Sequence, residues 1–179
     1  MDLNELIKSC VKKELKAQEK LYHIYKKILF PICLKYCRSY TEAEDHLHDT
    51  FIEIFDQIKK YKGKGSFEGW MKRIAINKAI DKYKKQKDFE LADYRLAEVT
   101  EEVYIDNSQS LPIEDLIQLI QELPNQYRLV FNMYELDRYS HKEIAKIIGI
   151  NESTSKSNLY RAKVHLKKKI IAYQKSKRI

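Results

Sequence analysis

The sequence predicts an all-α protein, made of two small helical domains joined by an acidic linker. Three observations carry this. Only 4 glycines and 3 prolines occur in 179 residues, roughly a third of the usual share and too few for the turns of sandwiches or barrels. Apolar residues recur at steps of three and four over most of the chain, the period of a one-sided helix. The formal net charge of +8 is divided into blocks. Residues 1–58 are near neutral, and 59–87 carry eleven basic residues against Glu68 and Asp81. Residues 88–125 then hold ten acidic residues against Arg95, and 126–179 are again net basic, thirteen against four. Two basic modules therefore flank an acidic segment.

Taken in order, Leu3, Leu6, Ile7, Cys10 and Val11 predict a short opening helix. Leu21, Ile24, Tyr25, Ile28 and Leu29 predict a second, which Pro31 should kink or restart before it resumes through Ile32, Leu34, Tyr36 and Cys37. Thr41 and Glu44 form an S/T-x-x-E capping box that opens the most regular helix, with Ala43, Leu47, Phe51, Ile54 and Ile58 on its apolar face. A basic glycine-containing loop, 61–65, ends it. Ser66 caps a helix carrying Phe67, Trp70, Met71, Ile74 and Ala79. Phe67 and Trp70 are read as core, in preference to platforms for stacking bases.

Residues 88–111 hold no sustained period and end in Asn107-Ser108-Gln109-Ser110, a linker composition. The domains are accordingly 1–87 and 112–179. In the second, helices are predicted from Pro112, Pro124 and Ser140, with Ser140 and Glu143 a further capping box. Gly149 stops that helix, Ile150 is an apolar plug, and Asn151 caps a long final helix. The final helix puts Leu159, Ala162 and Leu166 on one side and Lys156, Ser157, Tyr160 and Arg161 on the other. Caps, glycine, plug and basic face together fit a helix-turn-helix, whose second helix enters the DNA major groove. Lys and Arg there can read guanine acceptors.

Several function classes are disfavoured. The longest apolar run, residues 28–34, is far short of the roughly 18 residues of a membrane span. The N-terminus, with Asp2 and Glu5, lacks a signal-peptide pattern. A cytoplasmic protein without stable membrane insertion is expected. Cys10, Cys33 and Cys37 have no metal-finger spacing and are read as reduced thiols. His46 and His48 with Asp45 and Asp49 do not converge along a helix, so no metal site, cofactor or enzyme activity is expected.

The stretches AEDHLHDTFIEIF and GSFEGWMKRIAINKAIDKYKK resemble region 2 of bacterial RNA polymerase sigma factors of the sigma-70 family, in its extracytoplasmic-function (ECF) group. LPNQYRLVFNMYELDRYSHKEIAKIIGINESTSKSNLYRAK is similar to that group's region 4. The resemblance implies a nonenzymatic subunit that joins core RNA polymerase and directs it to promoters. Region 2, at 1–87, would hold and open the −10 element; region 4, at 112–179, would read the −35 element. Carried over residue by residue, Asp45, His48 and Asp49 would dock on the β′ coiled coil, His48 and Asp49 standing where the family usually has Gln and Glu. Lys62, Lys64 and Ser66 fall in the loop that captures a flipped −10 base, and Asn77 at a position that contacts the separated strand. Arg73 and Lys78 would add charge along that strand. Lys156, Ser157, Tyr160 and Arg161 match the −35 reading positions. Ser155 stands where many relatives carry valine, and Asn158 where arginine is common. The implied partners are core polymerase, through its β′ coiled coil and β flap, promoter DNA, and an anti-sigma protein. The residues alone leave two alternatives: a duplex-binding regulator that needs no polymerase, and a helical adaptor for an acidic protein.

Overall fold

The structure, a computed structural model, describes residues 2–87 and 111–176. Except for Leu111, the expected linker at 88–111 lies outside the described residues. Eight α-helices are formed among them: α1 (Leu3–Val11), α2 (Leu15–Tyr36), α3 (Tyr40–Gln57), α4 (Phe67–Lys87), α5 (Ile113–Gln121), α6 (Asn125–Phe131), α7 (His141–Ile148) and α8 (Glu152–Ser176). No described helix is long and apolar enough to cross a membrane. The chain divides into two compact units, Met1–Asp81 and Lys82–Ile179. The division falls earlier than the boundary expected at 87, because Ile80 is the last buried residue of α4 and residues 81–85 bury nothing fully.

The first unit packs α1, α2, α3 and the start of α4 around one core. Contrary to the expected kink or restart, α2 runs as one helix through Pro31. Its buried residues Ala17, Leu21, Tyr25, Leu29, Cys33 and Tyr36 continue at steps of four and three across the proline. Pro31 itself is exposed, as is Lys27, whose carbonyl loses its helical donor and is left beside water. Packing on one side thus holds the helix through a gap on the other.

The capping box is also displaced. Ser39, not Thr41, caps α3: its Oγ accepts the Glu42 N–H at 3.1 Å, and Glu42 Oε2 accepts the Arg38 N–H at 2.7 Å. Residues 39–42 and 41–44 both fit S/T-x-x-E, and the chain uses the earlier one. That register lets the Tyr40 ring meet Phe30 edge-on at 5.0 Å. The expected apolar face of α3 is buried, with His46 and Thr50 added to it. A short 3₁₀ turn, Ile58–Lys60, follows. In α4 the buried side is Phe67, Met71, Ile74, Ala75, Ile76 and Ile80, while Ala79, expected there, is half-buried.

Cys10, Cys33 and Cys37 are buried free thiols. Burial, with the neighbouring Cys37 adding to it, pushes the Cys33 thiol up to about 12 against a hydrogen bond with Thr50.

In the second unit, Leu119, Leu123, Tyr127, Ala162 and Leu166 form the core between α5, α6 and α8. Pro124 sits at the N-cap of α6. A π-helical turn, Asn132–Leu136, follows α6, closed by Asp137 N–H donating to the Asn132 carbonyl at 3.0 Å. The predicted box at Ser140 and Glu143 is formed, and Gly149 takes the left-handed conformation (φ 69°) that ends α7.

Ser39→Ala should lower stability to chemical denaturation by about 1 kcal/mol, whereas Thr41→Ala should change it by less than about 0.5 kcal/mol. The reverse order would restore the later capping register.

Candidate functional site

On α3, burial of Ala43, His46, Leu47 and Thr50 forces Asp45, His48 and Asp49 to the opposite, exposed side. Asp45 and Asp49 are one turn apart and share a face. The His48 ring stacks on Tyr22 of α2, with centroids 6.0 Å apart. The two histidines of this helix therefore part company. His48 faces out, while His46 is buried and its Nε2–H donates to the Ala75 carbonyl of α4 at 3.0 Å. Among the described residues, no three His, Cys, Asp or Glu side chains gather where a metal ion could be held.

The loop before α4 exposes Lys62, Lys64 and Ser66. Gly63 and Gly65 both have positive φ, and the Tyr61 hydroxyl donates to the Gly65 carbonyl at 2.8 Å, so the loop is tied at its base. Ser66 Oγ accepts the Gly69 N–H at 3.0 Å, capping α4. Arg73 and Asn77, four apart on α4, are exposed; with Ser66 seven residues before Arg73, they lie along one side of the helix. Lys78 is turned partly inward, 3.7 Å from Glu53. Beneath the loop, Tyr61, Phe67 and Trp70 form a ring cluster with centroids 5.0 to 5.5 Å apart. Phe67 is buried as core, and Trp70 is half-buried against it.

In the second unit, Leu159, Ala162 and Leu166 are buried, and Lys156, Ser157 and Tyr160 are exposed on the other side of α8, with Arg161 half-buried. Lys156 pairs with Glu152 one turn back at 3.0 Å, an exposed, solvent-screened pair easily exchanged for another anion. The Ser157 hydroxyl donates to the Ser153 carbonyl at 3.0 Å. The face is therefore basic and hydrogen-bonding.

A model of sigma-70 region 2 matches residues 21–89, and one of sigma-70 region 4 matches residues 113–166. The chain belongs to the sigma-70 family. Among similar proteins, the ECF RNA polymerase sigma factor SigW of Bacillus subtilis is 28% identical over 95% of this chain and 97% of its own. SigM of the same organism is 26% identical over 83% of this chain and 92% of its own. These relatives place the chain in the ECF group. Among solved structures, the sigma factor RpoE of Bartonella quintana, in complex with the anti-sigma factor NepR, is similar in fold. Its TM-score is 0.51 at 18% identity, covering 84% of this chain and 94% of that one.

Some basic residues of this sigma-70 family chain are structural. Arg128, counted in the second basic block, is buried; its guanidinium donates to the Gln121 and Leu123 carbonyls at 2.8 Å and to Asn125 Oδ1 at 2.6 Å, tying the end of α5 to α6. Lys163 pairs with Glu135 at 2.7 Å and Lys169 with Glu122 at 2.5 Å. The one sequence hint was Arg128 seven residues beyond a helix end, Gln121, that lacks a glycine stop.

His141 and His165 are held below their ordinary range. Burial lowers His141 first, then Lys156, with Glu152 partly opposing; burial, Lys168 and Lys169 lower His165. The unfolded chain therefore takes up these protons first as pH falls. Their contribution is fully present above about 6.5 and is lost on acidification through the lower folded-state values. Thermal melts of the full chain between pH 7.5 and 5 should show stability falling below about 6.5, and falling less in His141→Gln with His165→Gln. An unchanged slope in the double variant would place the titrating groups elsewhere.

Proposed function

We propose that this chain is a sigma factor that binds core RNA polymerase through the exposed face of α3, opens the −10 element with the 62–66 loop and α4, and reads the −35 element with α8. The first unit corresponds to region 2 (1–87) and the second to region 4 (112–179), with 88–111 as the connecting segment. The observation that carries the reading is the pairing, in one chain, of a helix-turn-helix unit with a second unit exposing both an acidic helix face and a basic loop and helix. A regulator of duplex DNA has no need of the first unit's acidic helix face.

The chemistry of each face fits its assigned part. Asp45 and Asp49, with His48 between them, offer an anionic surface to a protein partner. A base cannot be read on its pairing edge while stacked, so strand opening needs cations along the strand and groups for the displaced base. Lys62, Lys64, Ser66, Arg73, Asn77 and Lys78 supply both, and Asn77 carries a donor and an acceptor. Binding the single strand better than the duplex opens DNA without a covalent step, as befits an initiation subunit that is not an enzyme. Trp70 is placed in support of the loop, as core. The reading puts the chain in the cytoplasm with the polymerase, and an anti-sigma protein is the further partner it admits.

Asp45→Lys with Asp49→Lys should abolish co-purification with core polymerase while leaving helix content unchanged, since both side chains are exposed. Retained association would remove α3 from the docking surface. Asn77→Ala with Lys64→Ala should impair open-complex formation at least several-fold more on duplex promoters than on templates pre-melted at −10. Equal defects on both templates would assign these residues to affinity alone.

A further inference from the structure

The inner side of α8 changes character along its length. Through its middle it is apolar, with Ala162 and Leu166, before the buried Gln174 near its C-terminal end. Under the half that carries Lys156, Ser157, Tyr160 and Arg161 it is partly polar, because Ser155 and Asn158 are buried there beside Leu159. Ser155, fully buried, shares a hydrogen bond of 2.9 Å with Nδ1 of His141, the first residue of α7. The His141 ring in turn stacks on Tyr134 of the π-helical turn, with centroids 4.3 Å apart and planes 19° from parallel. One continuous chain of contacts thus links the π turn, α7 and the first turn of α8.

Apolar packing alone is non-directional and tolerates small rotations of a helix about its axis. A hydrogen bond constrains both distance and angle. The difference matters here because a rotation of about 10° moves atoms at a helix's outer radius of about 6 Å by about 1 Å, enough to break a hydrogen bond to a base edge. Asn158, the next polar residue inward, leaves its amide Nδ2 without a partner and supplies no such anchor through that atom. The Lys163–Glu135 pair lies further along the helix and is partly exposed, so it restrains the reading half weakly.

We propose that His141 and Ser155 are a positioning pair that sets the rotational phase of α8 and thereby its choice of −35 sequence, although neither touches DNA. The inference rests on α8 being the −35 reader. It identifies specificity determinants outside the exposed face, on the side of the helix that packs inward.

The test uses the full-length chain reconstituted with core polymerase. Transcription is measured on a promoter library randomised at −35 and on a template pre-melted at −10 that lacks a −35 element. His141→Phe keeps a ring to stack on Tyr134 but removes the nitrogen; Ser155→Ala removes the hydroxyl; Ser155→Thr retains it. Each of the first two should lower output from the preferred −35 sequence about five- to tenfold, the net effect of one hydrogen bond, and flatten base preference. Output from the pre-melted template should stay unchanged. The double variant His141→Phe with Ser155→Ala should be no worse than the poorer single variant, and Ser155→Thr should keep the wild-type preference. Arg161→Ala serves as the control. If it alters the selected sequence while His141→Phe and Ser155→Ala do not, the positioning pair is refuted and α8 remains the reader. If none of the three alters it, α8 does not read −35 at all. Equal losses on both templates, or additive effects in the double variant, would reduce the pair to ordinary packing and overturn the proposal.

Discussion

A buried hydrogen bond joins the two working helices of the first unit. His46 on α3 donates to the Ala75 carbonyl on α4 at 3.0 Å. Thr50 donates in turn to the His46 carbonyl at 2.7 Å. Removed from water, such bonds are costly to break, since each would leave a polar group unsatisfied in the core. The neighbours of His46 along α3, Asp45, His48 and Asp49, and those of Ala75 along α4, Arg73 and Asn77, are exposed. The bond therefore sets the register between the face assigned to polymerase and the face assigned to the separated strand. In this unit, what is buried determines what can be offered.

The same dependence governs electrostatics. Counted along the sequence, the last block looks like a uniform polycation. In the folded chain, Arg128 is spent inside on three acceptors, and Lys163 and Lys169 are held by carboxylates. The cations left on α8 are fewer: Arg161 lies beside Ser157 and Tyr160, and Lys167, Lys168 and Lys175 lie further along the helix. A polyanion thus meets a shaped surface, with part of the formal charge already neutralised within the fold. Counterion release should scale with these residues and with Lys156, whose exposed pair exchanges readily, more than with the formal charge of the block.

Much of this was legible in the sequence because helical period is a property of one element at a time. The stripes Ala43–Leu47–Phe51–Ile54–Ile58 and Leu159–Ala162–Leu166 are buried as their spacing required, and their opposite faces followed. What sequence left open depended on a second element. Two capping boxes overlap at residues 39–44, and the packing of Tyr40 against Phe30 favours the earlier. Pro31 breaks a hydrogen-bond ladder locally, yet α2 is held by its contacts on the far side. His46 looked like its neighbour His48 until α4 supplied a carbonyl. Ser155 looked like a missing valine until His141 arrived from fourteen residues away. The π turn has no periodic signature that five residues could display.

The buried thiols have a chemical consequence of their own. Burial pushes the Cys33 thiol up to about 12, so it stays protonated at pH 7, and burial and Glu14 also raise Cys10. Peroxide and electrophiles attack the thiolate, and they must reach it. Both conditions are denied at Cys33 inside the native fold. Oxidants in the surrounding solution should leave Cys33 untouched, so this thiol is poorly placed to sense oxidative stress.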